Sequence, residues 1–149
     1  MKKNYILSII LFSLNCSSQN CNIGNQTTTP SFTTSSIAGN YILGVRFTLS
    51  QAGTLKTINL LGNNTGVGLQ TAVYNDNAGV PNNLIASSNF GTVGSGVISL
   101  PVTPTVIPAG NYWIMAVYQN SGNHVNYNRS PSGNNVYYKA HTYGAAIAL

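Results

Sequence analysis

The sequence predicts an all-β fold, a sandwich or barrel of short antiparallel strands, and three observations carry that prediction. β-branched and aromatic runs of four to nine residues recur along the chain, separated by Gly, Asn and Pro clusters. No window shows helical apolar periodicity behind a capped start. Charged residues make up only 5% of the 149 residues, whereas exposed helix faces are normally built from Glu, Lys and Arg.

The elements follow in chain order. Residues 20–36 (NCNIGNQTTTPSFTTSS) are Thr/Ser/Asn-rich and read as a linker or first edge segment, with 32–37 suited to pairing with a sheet. Residues 41–49 (YILGVRFTL) are the first full strand. Residues 55–61 (LKTINLL) follow the turn at Gln51, Ala52 and Gly53, and 68–74 (GLQTAVY) follow Gly62, Asn63 and Asn64. A loop is expected over 75–83 (NDNAGVPNN), then strands at 84–90 and 97–100. Residues 112–119 (YWIMAVYQ) are apolar on both alternating faces, the pattern of a central buried strand, which places Trp113 in the core. Segments 125–128 and 136–138 read as a hairpin across 129–135 (RSPSGNN), and 144–149 is small and apolar.

The first 18 residues have the parts of a secretory signal: Lys2 and Lys3, an apolar run over 5–14, then small residues at Cys16 and Ser18 before Gln19. The run is about half the ~20 residues of a membrane span. A retained anchor and a lipoprotein at Cys16 are the alternatives, although Ser13 and Asn15 fit a lipobox poorly. Cleavage would remove Cys16 and leave Cys21 alone, so the core must hold without a disulfide framework. The expected organisation is a signal peptide over 1–18, an N-terminal segment over 19–36 and one module over 37–149, exported to the cell surface or medium.

Asp76 is the only carboxylate side chain, and there is no Glu. Glycoside hydrolysis usually needs a carboxylate pair, a serine triad needs one to orient its histidine, and Ca²⁺ and Mg²⁺ sites depend on several. The chain is therefore read as non-catalytic, with no cofactor and no metal. An enzyme would need Asp76, His124 and a hydroxyl to converge. Cys21, His124 and His141 lack zinc spacing, and Ser95 is not in a nucleophile elbow. Asp76 lies in a stretch suited to a turn in which Gly79 supplies positive φ. Arg46, Lys56, Arg129 and Lys139 face Asp76 in the exported part, a balance of about +3, too scattered for a nucleic-acid footprint. Asn25, Asn63 and Asn128 open N-x-S/T sequons, relevant only in a glycosylating host.

Aromatic residues crowd the second half, and Tyr127, Tyr137 and Tyr138 lie beside Asn126 and Arg129. A hairpin over 125–139 would present several on one face, a ligand surface of stacking rings and hydrogen-bonding amides. Core packing is the competing use of these tyrosines.

Three stretches, RFTLSQAGTLKTINLL (46–61), TAVYNDNAGVPNNLIASS (71–88, with Y-x-D-x-x-G-x-P at Tyr74, Asp76, Gly79 and Pro81) and VIPAGNYWIMAVY (106–118), carry a family resemblance. Residues 40–145 resemble the jelly-roll-like "choice-of-anchor" β-sandwich modules of secreted and surface bacterial proteins. That resemblance implies an accessory module, usually attached to another domain or a sorting signal. Two functions stand open: a module holding a glycan or cell-surface partner, and a structural or adhesive spacer in a surface assembly. The spacer reading draws on Asn/Gly/Thr-rich strands that lack the lysines which blunt sheet edges.

Overall fold

The computed structural model describes residues 23–24, 33–34, 36–127 and 136–148. The signal segment, Cys16, Cys21, Asn25, Asn128 and Arg129 lie outside them. The described residues form ten strands: β1 (Thr33–Thr34), β2 (Tyr41–Leu49), β3 (Gly53–Asn63), β4 (Gly68–Asn77), β5 (Val80–Ser87), β6 (Gly91–Thr92), β7 (Ser95–Ile107), β8 (Gly110–Tyr118), β9 (Asn126–Tyr127) and β10 (Val136–Ala140). Six build the main sheet in the order β10-β2-β8-β4-β5, with β6 also on β4; β3 pairs β7, and β1 pairs β9. Every pairing is antiparallel.

The frame is one long ribbon folded over on itself. β2 runs against β8 from Ile42↔Val117 to Leu49↔Gly110, and β3 runs against β7 from Gly53↔Ile107 onward. Both chains of the ribbon change layer together, at residues 50–52 and 108–109. The result is the expected antiparallel, jelly-roll-like sandwich.

Side-chain alternation then assigns the faces. On the inner face of the main sheet, Leu49, Val73 and Tyr112 pack with Leu55 and Ile58 of β3 and Val102 and Ile107 of β7. Farther along, Leu69, Ala116 and Tyr118 pack with Leu100 of β7, Val93 and Val125. Leu55 and Ile58 are three apart yet both point inward, because the β3–β7 register shifts between Leu55 and Thr57. β8 is central: Tyr112, Ala116 and Tyr118 face inward and Trp113, Met115 and Val117 outward, all buried.

Two expectations are corrected. The loop over 75–83 is almost entirely strand: β4 and β5 meet at Asn77↔Val80, leaving only Ala78 and Gly79 as the turn. Both have positive φ, 51° and 88°, the requirement of the two-residue hairpin turn whose twist matches its strands. The hairpin expected across 129–135 does not form, since β9 pairs β1 while β10 pairs β2 from Val136↔Val45 to Ala140↔Tyr41. The open edge of β2 offers β10 a five-residue ladder, more than the two residues of β9 could return.

The sheet edges are also better protected than the composition suggested. Edge strand β10 carries Lys139, and edge strand β5 carries Pro81 and two register shifts against β4.

Candidate functional site

The outer face of the main sheet holds the one charged cluster among the described residues. In successive strands, Arg46 pairs with Trp113 and Trp113 with Tyr74, so the three side chains form a row across β2, β8 and β4. Asp76 is two residues beyond Tyr74 on the same face. Its Oδ1 accepts the Trp113 Nε1–H at 2.7 Å, and its Oδ2 accepts the Gly79 N–H at 3.3 Å. The Arg46 Nε lies 3.2 Å from the same Oδ1, an ion-pair contact without hydrogen-bond alignment. The carboxylate is nearly enclosed, with 9% of its side chain exposed, while 30% of Arg46 remains open. The expected turn around Asp76 is present, and the carboxylate has the additional task of holding the tryptophan.

Tyr137 joins this row from β10. Its ring stands edge-on to Trp113, centroids 6.0 Å apart at 66°, although β2 runs between their strands. The ring crosses at Gly44, its register partner. A Cβ at Gly44 would come within 2.6 Å of the Met115 sulfur and collide with the β8 backbone, so only glycine permits both the close strand approach and the crossing ring.

Beneath, Tyr74 is fully buried and its hydroxyl has no partner among the described residues. Burial, followed by the nearby Tyr137 phenol, pushes its pKa up to about 12. Burial likewise raises Tyr118 and Tyr112 on the inner face. No hydrogen bond among the described residues ends on the Arg46 Nη groups or the Tyr137 hydroxyl. The rest of the outer face is apolar: Ile42, Ala72, Met115 and Val117 are covered by Ile147, with Tyr143 packed beside them. Tyr143 reaches over Gly68 and meets Phe90 edge-on, centroids 5.2 Å apart.

The residues named from sequence separate in space. Tyr137 faces outward; Tyr138, paired with Leu43, projects on the opposite side and is 72% exposed. The backbones of Asn126 and Tyr127 pair with β1 in a different sheet, and Arg129 lies outside the described residues. Tyr137 reaches the charged row, and Tyr138 does not. Arg46, Tyr74 and the Asp76–Trp113 bond were missed. A signal for Arg46 existed: it is the single charge in an otherwise apolar strand, YILGVRFTL.

The histidines stay apart from this site. His124 is buried on the inner side, stacked on Tyr118 at 5.5 Å. Its Nε2 lies 2.7 Å from the Asn120 carbonyl and therefore carries the proton, leaving Nδ1 to accept the Thr65 hydroxyl at 2.9 Å in the neutral ring. His141 sits at the far end of β2, its N–H bonded to the Asn40 carbonyl, about 20 Å along the strand from Arg46. Asp76, His124 and His141 do not assemble a triad. Among the described residues no group of three His, Cys, Asp or Glu could hold a metal ion, and no helix is long and apolar enough to cross a membrane.

Comparison with protein families, with curated proteins and with solved structures found no match.

Proposed function

We propose that this chain is a secreted or surface-displayed, non-catalytic binding module for a glycan or a glycan-bearing surface partner. One observation carries the reading: on the outer sheet face no hydrogen bond among the described residues ends on the Arg46 Nη groups or the Tyr137 hydroxyl, around a tryptophan locked in place by Asp76. Donors left open to solvent beside a fixed tryptophan suit a ligand that supplies oxygen atoms. The one carboxylate is committed to Trp113 and Gly79, which leaves it poorly placed to serve as a general base. The resemblance to choice-of-anchor modules agrees with an accessory role.

The test is retention of the purified protein on insoluble polysaccharides and a glycan array, with and without chelator. Retention abolished by Tyr137→Ala and unaffected by Tyr138→Ala is the expected outcome, because the two side chains leave β10 on opposite faces. Loss with Tyr138→Ala alone would move the site to the other side of the sheet.

The spacer reading retains one supporting observation. β10 has a free edge among the described residues, and Val136 and Tyr138 on it are 65% and 72% exposed. Concentration-dependent size on gel filtration, abolished by Tyr138→Lys, would favour it.

A further inference from the structure

We propose that Arg46, in the row that Tyr137 joins at Trp113, forms a subsite for a carboxylate carried on a sugar, so that the module selects acidic over neutral glycans; this rests on the binding reading above. The geometry of the ion pair is the starting point. An arginine serving only as a cross-brace would meet its carboxylate with two parallel N–H···O bonds. Here Asp76 uses Oδ1 on Trp113 and Oδ2 on Gly79, and touches Arg46 only through Nε. The guanidinium is anchored at its stem, 30% of the side chain is exposed, and no hydrogen bond among the described residues ends on its two terminal amino groups. That fork matches a planar, two-oxygen acceptor.

The chemistry of the neighbours points the same way. The Arg46 Nη groups can only donate, and the Tyr137 hydroxyl can donate. An ionised carboxylate only accepts, so it satisfies these donors without leaving one unpaired; a neutral sugar hydroxyl brings a proton of its own. Charge adds to the preference. Lys139 stands on β10 opposite Ile42, on this same face, while the single carboxylate already faces Arg46. The half-buried Tyr137 ring beside the fork supplies an apolar edge for the sugar ring.

The experiment compares galacturonic acid oligomers with their methyl esters, which keep the sugar and remove the charge, and includes poly-glutamate as a non-sugar carboxylate. Calorimetric titration is expected to show the acid form binding roughly ten- to a hundred-fold more tightly than the ester, the range of a charge-assisted hydrogen-bond pair, and weakening with added salt. Arg46→Lys keeps the charge but not the fork, and is expected to lose about ten-fold. Tyr137→Phe, which keeps the ring, should lose affinity for the acid form while remaining folded by circular dichroism. Equal binding of acid and ester, or Arg46→Lys binding as well as wild type, would overturn the carboxylate subsite and leave a neutral-glycan module standing. Binding of poly-glutamate but of no uronate would overturn the sugar assignment. Silence toward every glycan would remove this proposal and the binding reading together.

Discussion

The two faces of the main sheet are closed by different means. The inner face is sealed by another sheet: β3 and β7 lay Leu55, Ile58, Leu100, Val102 and Ile107 over it. Among the described residues, the outer face is covered by the coil after β10 and the side chains it brings, Tyr143 and Ile147. A strand pair presents a regular row of apolar residues with its own backbone bonds satisfied. A coil covers less and holds less firmly, its bonds here running from Tyr143 N–H to the Asn40 side chain and from Ala145 N–H to the Thr142 carbonyl. The polar groups sit accordingly. The inner face holds Tyr118, a fully hydrogen-bonded His124 and the buried Thr71 hydroxyl, which has no partner among the described residues, whereas the charged Arg46–Asp76–Trp113 row lies on the more lightly closed side. The lesson is that a sheet apolar on both faces needs two lids, and the weaker lid leaves room for a site.

The largest expected effect tests the stronger lid. Leu69→Ala, at a fully buried inner position, should cost about 3–5 kcal/mol, and Ile147→Ala about 2 kcal/mol, because a coil can settle into the space it leaves. Urea midpoints at constant slope measure both, and equal losses would erase the distinction between the faces. Next comes the charged row. Asp76→Ala strips Trp113 of its acceptor and Arg46 of its counter-ion, and should cost roughly 2–3 kcal/mol, less than a fully buried pair because Arg46 is partly solvated. Trp113 is the only tryptophan, so a red shift of the protein's fluorescence would report its loosening directly. Asp76→Asn, which keeps an acceptor for the indole, should fall between.

Alkaline titration compares the faces in one experiment. Tyr74 outside and Tyr118 inside both have pKa values raised by burial. The folded protein therefore keeps these protons when the unfolded chain, with phenols near 10, has begun to lose them. Their contribution is fully present below about pH 10 and is lost as pH rises through the Tyr74 value of about 12. Stability should decline across that window, with phenolate absorbance lagging behind that of free tyrosine; ordinary titration of Tyr74 would mean that the outer lid admits water. The smallest effect lies in the β4–β5 turn that supplies the Gly79 N–H to Asp76. Ala78 sits at φ 51°, and Ala78→Asn should raise stability by about 0.5–1 kcal/mol, read as a higher thermal midpoint.

Much of the fold could be read from residue pattern alone. Strands at 41–49 and 112–118 were legible because β-branched and aromatic runs at these lengths leave few alternatives, and the two-sided apolar character of YWIMAVY required a central position. Asp76 and Gly79 announced a turn by their own backbone preferences. The loop over 75–83 was misread because Asn75, Asn77, Asn82 and Asn83 look like turn residues one at a time; hydrogen bonding across β4 and β5, including Asn75 Oδ1 accepting from the Asn83 N–H at 2.6 Å, holds them as strand. The hairpin at 129–135 failed for a related reason: nearness in sequence favoured pairing β9 with β10, and the vacant edge of β2 offered a longer ladder.

The candidate site belongs to the tertiary structure almost entirely. Sequence by itself determined the strand inventory, the central place of β8 and the scarcity of ionisable groups, because those depend on side-chain type and on a period of two. It could not determine that Arg46, Tyr74, Asp76, Trp113 and Tyr137, drawn from four strands, would share one face. Register decides that, a slip of one residue would send any of them to the opposite face, and register was set only when the ribbon folded over and its two layers packed.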